Sequence, residues 1–172
     1  MKRVSIIGCP GSGKSYFARQ LHAATGLPLF HLDKIYHELH LGNDRIENRN
    51  LWRSELNKVI KNYSWITDGN YFSTQDLRLP LSDTIIIFDY PLRIVYRRLL
   101  KRRWVYRNAK RPDMPDDWQE SLNLAFIRSH VLGFRKKYRS QAVPILELLP
   151  ESIEVVTFKK PKQARRYLAS IK

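Results

Sequence analysis

The residues best suited to chemistry come early in the chain. Gly8-Cys9-Pro10-Gly11-Ser12-Gly13-Lys14-Ser15 follows the spacing G-x-x-x-x-G-K-[ST] in full. Each position has a physical job. Gly8, Gly11 and Gly13 accept backbone torsions that turn successive N–H groups toward an anion and let the backbone approach it. A helix opening near Gly13 adds its positive N-terminal end, so the set of anion-facing residues runs on to Tyr16. Lys14 places a point charge on the β and γ phosphates of a nucleoside triphosphate, and the Ser15 hydroxyl suits Mg²⁺. The expected ligand of this loop is Mg²⁺-ATP. The Cys9 side chain is expected to point away from it.

Two acids fall where such a site needs them. In an open parallel sheet the ligand lies beyond the carboxyl ends of the strands. Asp33 follows a short strand in His31-Leu32-Asp33-Lys34-Ile35-Tyr36, and Asp68 ends another in Trp65-Ile66-Thr67-Asp68-Gly69-Asn70-Tyr71. Asp68 suits Mg²⁺ held through water, with Gly69 beside it allowing close approach of an acceptor and Asn70 next in line. Asp33 suits an acceptor hydroxyl, as proton acceptor or as orienting group. A turn-capping Asp is the alternative for each. His31 reads equally as a catalytic or a structural histidine.

A third element is basic. After Pro91 the stripe Leu92, Val95, Tyr96, Leu99 and Leu100 predicts a helix. At 100° per residue, Arg98 and Arg102 share one edge of that stripe, and Arg97 and Lys101 the other. Arg98 and Arg102, four apart and held by packing, suit a clamp on a polyphosphate. The alternative is a solvated basic face, but no acid between Arg97 and Arg111 answers the eight basic residues there.

The elements that must position these groups alternate strand and helix. Strands are expected at Arg3 to Gly8, Leu29 to Leu32, Trp65 to Asp68, Thr84 to Asp89 and Ile153 to Phe158. Helices are expected from about Gly13 to Ala24, along the stripe Trp52, Leu56, Val59, Ile60 and Tyr63, from Pro91, from near Trp118 to about Arg139, and from Pro161 to Ile171. The fold class is α/β: a three-layer α/β/α sandwich around a five-stranded parallel sheet, in one domain over residues 1–172. Residues 103–117, basic and poorly periodic, read as a lid, with Arg107, Lys110 and Arg111 as further phosphate contacts.

Composition sets bounds. The chain has 172 residues and 43% hydrophobic residues, enough for a full core. No apolar run reaches the ~20 residues of a membrane helix, the apolar start is too short for a secretion signal, and a cytoplasmic location is expected. The single cysteine, Cys9, excludes an internal disulfide and a Cys-rich metal site. The formal net charge of +15 favours anionic partners: nucleotides, phosphorylated metabolites, nucleic acid or an anionic surface.

Together these motifs resemble the adenylate-kinase-like P-loop kinases, and more closely the bacterial DNA topology modulation proteins. The resemblance runs through the phosphate loop, His31-Leu32-Asp33-Lys34-Ile35-Tyr36, Asp68-Gly69-Asn70-Tyr71 and the basic helix after Asp89-Tyr90-Pro91, over nearly the whole chain. It implies ATP as phosphoryl donor, a fold like that of nucleoside monophosphate kinases, and a basic lid. Arg98 and Arg102 would match the two arginines at the lid base of adenylate kinases, and Lys159 to Lys162 would lie near the adenine. The chain departs from the pattern at one place. Adenylate kinases carry Asp-Gly-Phe-Pro-Arg where this chain has Asp68-Gly69-Asn70-Tyr71-Phe72, so the arginine that grips the acceptor phosphate is missing. Arg78 is the residue that could replace it. The expected activity is transfer of the ATP γ-phosphoryl to a small acceptor. A nucleoside monophosphate comes first and a small hydroxyl compound second, with a nucleic-acid-associated ATPase as the rival class.

Overall fold

The computed structural model describes residues 1–39, 46–107, 109, 112–115 and 124–171. Strand β1 (Arg3–Gly8) carries Val4, Ile6 and Ile7, all buried, and sits at the middle of the sheet. On its flanks lie β3 (Trp65–Asp68) and β4 (Thr84–Phe88), buried along their whole length. Strands β2 (Leu29–His31) and β5 (Glu154–Phe158) form the edges, giving the order β2-β3-β1-β4-β5. Every pairing is parallel. Continuous Ile and Val runs suit the central strands because helices cover both faces.

The register aligns the functional ends. His31 of β2 stands opposite Asp68 of β3, and Asp68 opposite Ile6 of β1. The phosphate loop then leaves β1 at Gly8, which pairs with Phe88 of β4. The order changes direction at β1, since β1 leads through β2 on one side and pairs with β4 on the other. A crevice at such a switch point is where open α/β sheets bind ligands.

Helix α1 (Lys14–Thr25) buries Phe17, Ala18 and Leu21, and Gly26 ends it in the left-handed conformation with φ of 70°. Phe17 meets Phe88 and Phe158 edge-on or tilted, with ring centroids 5.2 and 5.6 Å away. That contact ties the helix behind the phosphate loop to the sheet. Helix α2 (Leu32–Glu38) begins directly after His31, so the expected strand is one residue shorter than its apolar run. Helix α3 (Ile46–Ile60) buries Trp52, Leu56, Val59 and Ile60. Tyr63 lies beyond its end and is exposed, so it leaves the expected stripe. Helix α4 (Gln75–Arg78) is a single turn.

Helix α5 (Leu92–Val105) buries Val95 and Leu99. Leu100 is 62% exposed, contrary to its expected place in the core stripe, because the buried face is narrower than the apolar one. Residues 124–147 are helical but irregular. Two π-helical turns, Ile127–Leu132 and Tyr138–Ala142, interrupt α-helical pieces, and the helical run passes Arg139 to Glu147. The expected start near Trp118 lies outside the described residues, as do Lys110 and Arg111 of the expected lid. The first three residues of that segment, 103–105, continue α5. Farther along it, Asp113 and Met114 are buried, and Asp113 lies 3.7 Å from Arg19 of α1. The C-terminal helix Pro161–Ile171 matches its expected bounds. Among the described residues no helix is long and apolar enough to cross a membrane.

Candidate functional site

The phosphate loop is built from torsions that only glycine adopts at low cost. Gly8, Gly11 and Gly13 have φ of 150°, 81° and 91°. A Cβ on Gly8 would stand 2.6 Å from Phe88, and one on Gly11 2.6 Å from Leu99. The loop is thus pressed between β4 and α5, and its backbone faces the remaining side. In α1 the first bond of the helical ladder runs from the Phe17 N–H to the Gly13 carbonyl. The N–H groups of Lys14, Ser15 and Tyr16 therefore have no acceptor within the helix. Tyr16 contributes backbone only; its ring is exposed.

Side chains complete the loop. Lys14 Nζ donates to the Cys9 carbonyl at 3.3 Å, curled over the loop. Pro10 is half-buried, and Ser12 is fully buried. Cys9 turns inward, with Sγ 3.9 Å from the Val131 carbonyl, and burial pushes its thiol up to about 11. Arg98 donates to the Ser12 carbonyl, and its guanidinium lies 5.2 Å from the centre of the Tyr90 ring. Arg98 and Arg102 are half-buried on α5, whereas Arg97 and Lys101 are exposed.

Asp68 sits beside this loop. Its Oδ2 is 3.0 Å from His31 Nδ1, and both residues are largely shielded. Its Oδ1 is buried with no hydrogen-bond partner among the described residues. A glycine-lined loop with free helix-terminal N–H groups, and an unsatisfied carboxylate oxygen at the end of the next strand, fit a Mg²⁺-nucleotide. Ser15 and Asp68 are the residues that would hold the ion.

The acceptor side differs from what the spacing suggested. Asp33, in the first turn of α2, accepts a hydrogen bond from the Tyr71 phenol. Burial, and then that carboxylate, push the Tyr71 phenol well above its ordinary value. The Tyr71 ring packs 5.0 Å from Tyr36 and 4.7 Å from Trp52, centroid to centroid. Its φ of 30° is the one positive value outside glycine among the described residues. Sequence reasoning passed over Tyr71 as a site residue, although it adjoins Asn70 in the quoted motif.

Arg78 was expected to reach the acceptor. It is instead fully buried, and donates to the carbonyls of Gly69 and Asn70, each at 2.6 Å. Burial lowers it to about 10, so it remains a cation at neutral pH. Asn70 turns toward the phosphate loop: its Oδ1 accepts from the Gly8 N–H at 2.9 Å. Gly69 has φ of 149°, and a Cβ there would meet Leu32 at 2.9 Å. Arg107 is exposed.

The fold is that of the P-loop kinases. A shikimate kinase from Bacteroides thetaiotaomicron superposes with a TM-score of 0.58 at 15% identity, over 99% of this chain and 95% of that one. A shikimate kinase from Aquifex aeolicus gives 0.55 at 16% identity, over 98% and 95%. An unliganded sugar kinase from Janibacter gives 0.51 at 17%, over 98% and 93%. These likenesses establish the fold. No family model matches the chain, and no curated protein does either.

Proposed function

We propose that this protein is an ATP- and Mg²⁺-dependent kinase that phosphorylates a hydroxyl group of a small molecule. The observation that carries the donor half is the phosphate loop, with three positive-φ glycines, Lys14 across it and Arg98 tied to its Ser12 carbonyl. Lys14 and Arg98 would neutralise charge on the transferred group, with Arg102 four residues farther along the same helix. Ser15 and Asp68 would hold a Mg²⁺ ion, whose charge would offset that of the phosphates.

The acceptor half favours a hydroxyl compound over a nucleoside monophosphate. A phosphate acceptor needs a cation, and Arg78 is fully buried, with Nη2 on the Gly69 and Asn70 carbonyls and Nη1 on Thr67 Oγ1. What the end of β2 offers is Asp33, joined by Tyr71 and Tyr36, which both pack on the buried Trp52. A carboxylate can accept a proton from an attacking hydroxyl, and aromatic faces suit the apolar face of a ring compound. The solved shikimate and sugar kinases of the same fold agree with this choice.

The test is steady-state ADP release over a panel of cyclic polyols, hydroxy acids, sugars, nucleosides and nucleoside monophosphates. Acceptor-stimulated turnover with a hydroxyl compound is expected. Turnover confined to nucleoside monophosphates restores the adenylate-kinase-like reading, and no stimulation by any acceptor removes the kinase reading. The net charge of +15 favours a second property, association with nucleic acid, in keeping with the resemblance to DNA topology modulation proteins. Duplex binding that survives physiological salt would support it; binding lost at that salt would leave only nonspecific attraction.

A further inference from the structure

The turn after β3 is tied to the phosphate loop by one side chain. Asn70 Oδ1 accepts the Gly8 N–H at 2.9 Å, across 62 residues of sequence. Gly8 is where β1 ends and the loop begins, so this bond fixes the loop's first peptide. Asn70 is itself held from behind. Its carbonyl accepts from Arg78 at 2.6 Å and from Gln75 Nε2 at 2.9 Å. Arg78 also holds the Gly69 carbonyl at 2.6 Å and reaches Thr67 Oγ1 at 3.4 Å. Tyr71, the next residue, takes the strained φ of 30° and carries the phenol that meets Asp33.

The cost of this arrangement argues for a use. Arg78 is fully buried and charged, and among the described residues no carboxylate hydrogen-bonds to it; the charge of Asp68 raises its basicity through space. Removing an ion from water is costly, and an apolar side chain of similar length would fill the space without that cost. A guanidinium offers something Met does not: a planar set of donors, of which Nη2 holds the two successive carbonyls while Nη1 reaches Thr67 Oγ1.

We propose that Asn70 and Arg78 are positioning residues that act in series: Arg78 fixes the Gly69–Tyr71 turn, and Asn70 thereby sets the entry of the phosphate loop. The turn then links the two halves of the site, since it presents Asn70 to the loop and Tyr71 to Asp33. The proposal rests on the kinase reading only for its catalytic consequence. Its binding consequence stands apart, because the loop must hold a nucleotide whatever the acceptor is.

The experiment is a double-mutant cycle on Mg²⁺-ADP affinity, read by calorimetry, with Asn70→Ala, Arg78→Met and the pair. Asn70→Ala removes one hydrogen bond to the loop, and about tenfold weaker binding is expected. Arg78→Met should weaken binding by a similar factor, and the double variant should bind no worse than either single one. Arg78→Lys, which keeps the charge but not the fork, should recover less than half of the loss. Two results overturn the proposal: Asn70→Ala binding within twofold of the parent, or fully additive losses in the double variant. Should Arg78→Met fail to fold, Asn70→Ala decides alone, because Asn70 is only half-buried. Failure of acceptor turnover in the parent would remove the kinase reading and leave this cycle intact.

Discussion

Arg98 donates a hydrogen bond to the Ser12 carbonyl, so α5 and the phosphate loop are joined through a side chain that also lies over the Tyr90 ring. A guanidinium has five N–H donors and this contact occupies one, which leaves the fork able to meet phosphate oxygens as well. Arg98→Ala should therefore lower kcat by roughly 10²- to 10³-fold and raise KM for ATP. Arg97→Ala, on the exposed edge of the same helix, should stay within about twofold in both. Steady-state kinetics of the two variants side by side checks this. Equal losses would mean that only the net charge of α5 matters.

Among the described residues the Lys14 side chain donates to the Cys9 carbonyl at 3.3 Å, and Lys14 is not part of the core. Lys14→Ala should leave thermal stability without ligand unchanged within about 0.5 kcal/mol. The stabilisation by saturating Mg²⁺-ATP should be largely lost, since that shift tracks affinity. Thermal unfolding with and without nucleotide reads both effects. A variant stabilised as much as the parent would place the triphosphate elsewhere.

Asp33 and Tyr71 meet at the far side of the site. Asp33→Asn keeps the shape but removes the carboxylate proposed as the base, and kcat should fall by about 10²- to 10⁴-fold with Mg²⁺-ADP affinity unchanged. Tyr71→Phe keeps the ring against Tyr36 and Trp52 and removes only the phenol. The carboxylate then loses the donor that orients it, and a loss of about tenfold in kcat is expected. If Tyr71→Phe is faster than the parent, the phenol is a competitor of the acceptor rather than its support. Isothermal binding and initial rates on both variants distinguish the two.

What the sequence makes legible follows from how local the signal is. The five strands are apolar runs bounded by turns, and each falls within one residue of its expected ends. The phosphate loop is contiguous, so spacing alone draws it. The misjudged positions depend on distant neighbours. Leu100 continues an apolar stripe but, among the described residues, no element packs over it to bury it. Arg78 is a cation in a surface-like turn that the fold closes over, with Thr67, Gly69 and Asn70 as its partners. The pairing of Asn70 with Gly8 and of His31 with Asp68 is set by sheet order and register, which no local spacing encodes. The π-helical turns at Ile127–Leu132 and Tyr138–Ala142 carry no period that a 3.6-residue pattern would reveal.

Cys9 gives a pH dependence whose sign is fixed by burial. Its thiol is raised from 9.0 to about 11 in the fold, chiefly by desolvation, against the partial pull of Lys14. Between those values the native chain keeps a proton that the unfolded chain has released. Stability from this group is therefore whole below pH 9 and declines as pH rises toward 11, by roughly 2 to 3 kcal/mol in all. Half-buried tyrosines such as Tyr167, raised to about 12, add a slope of the same sign at higher pH. Comparison with Cys9→Ala cancels them. The difference in urea-unfolding free energy between parent and Cys9→Ala should be constant from pH 7 to 8.5 and then narrow steadily up to pH 10.5. At neutral pH the same thiol should react with a disulfide reagent only as fast as the chain opens, because the thiolate is scarce and the sulfur is shielded. A difference that stays flat across the alkaline range, together with rapid labelling, would mean that Cys9 faces solvent and that the loop is turned the other way.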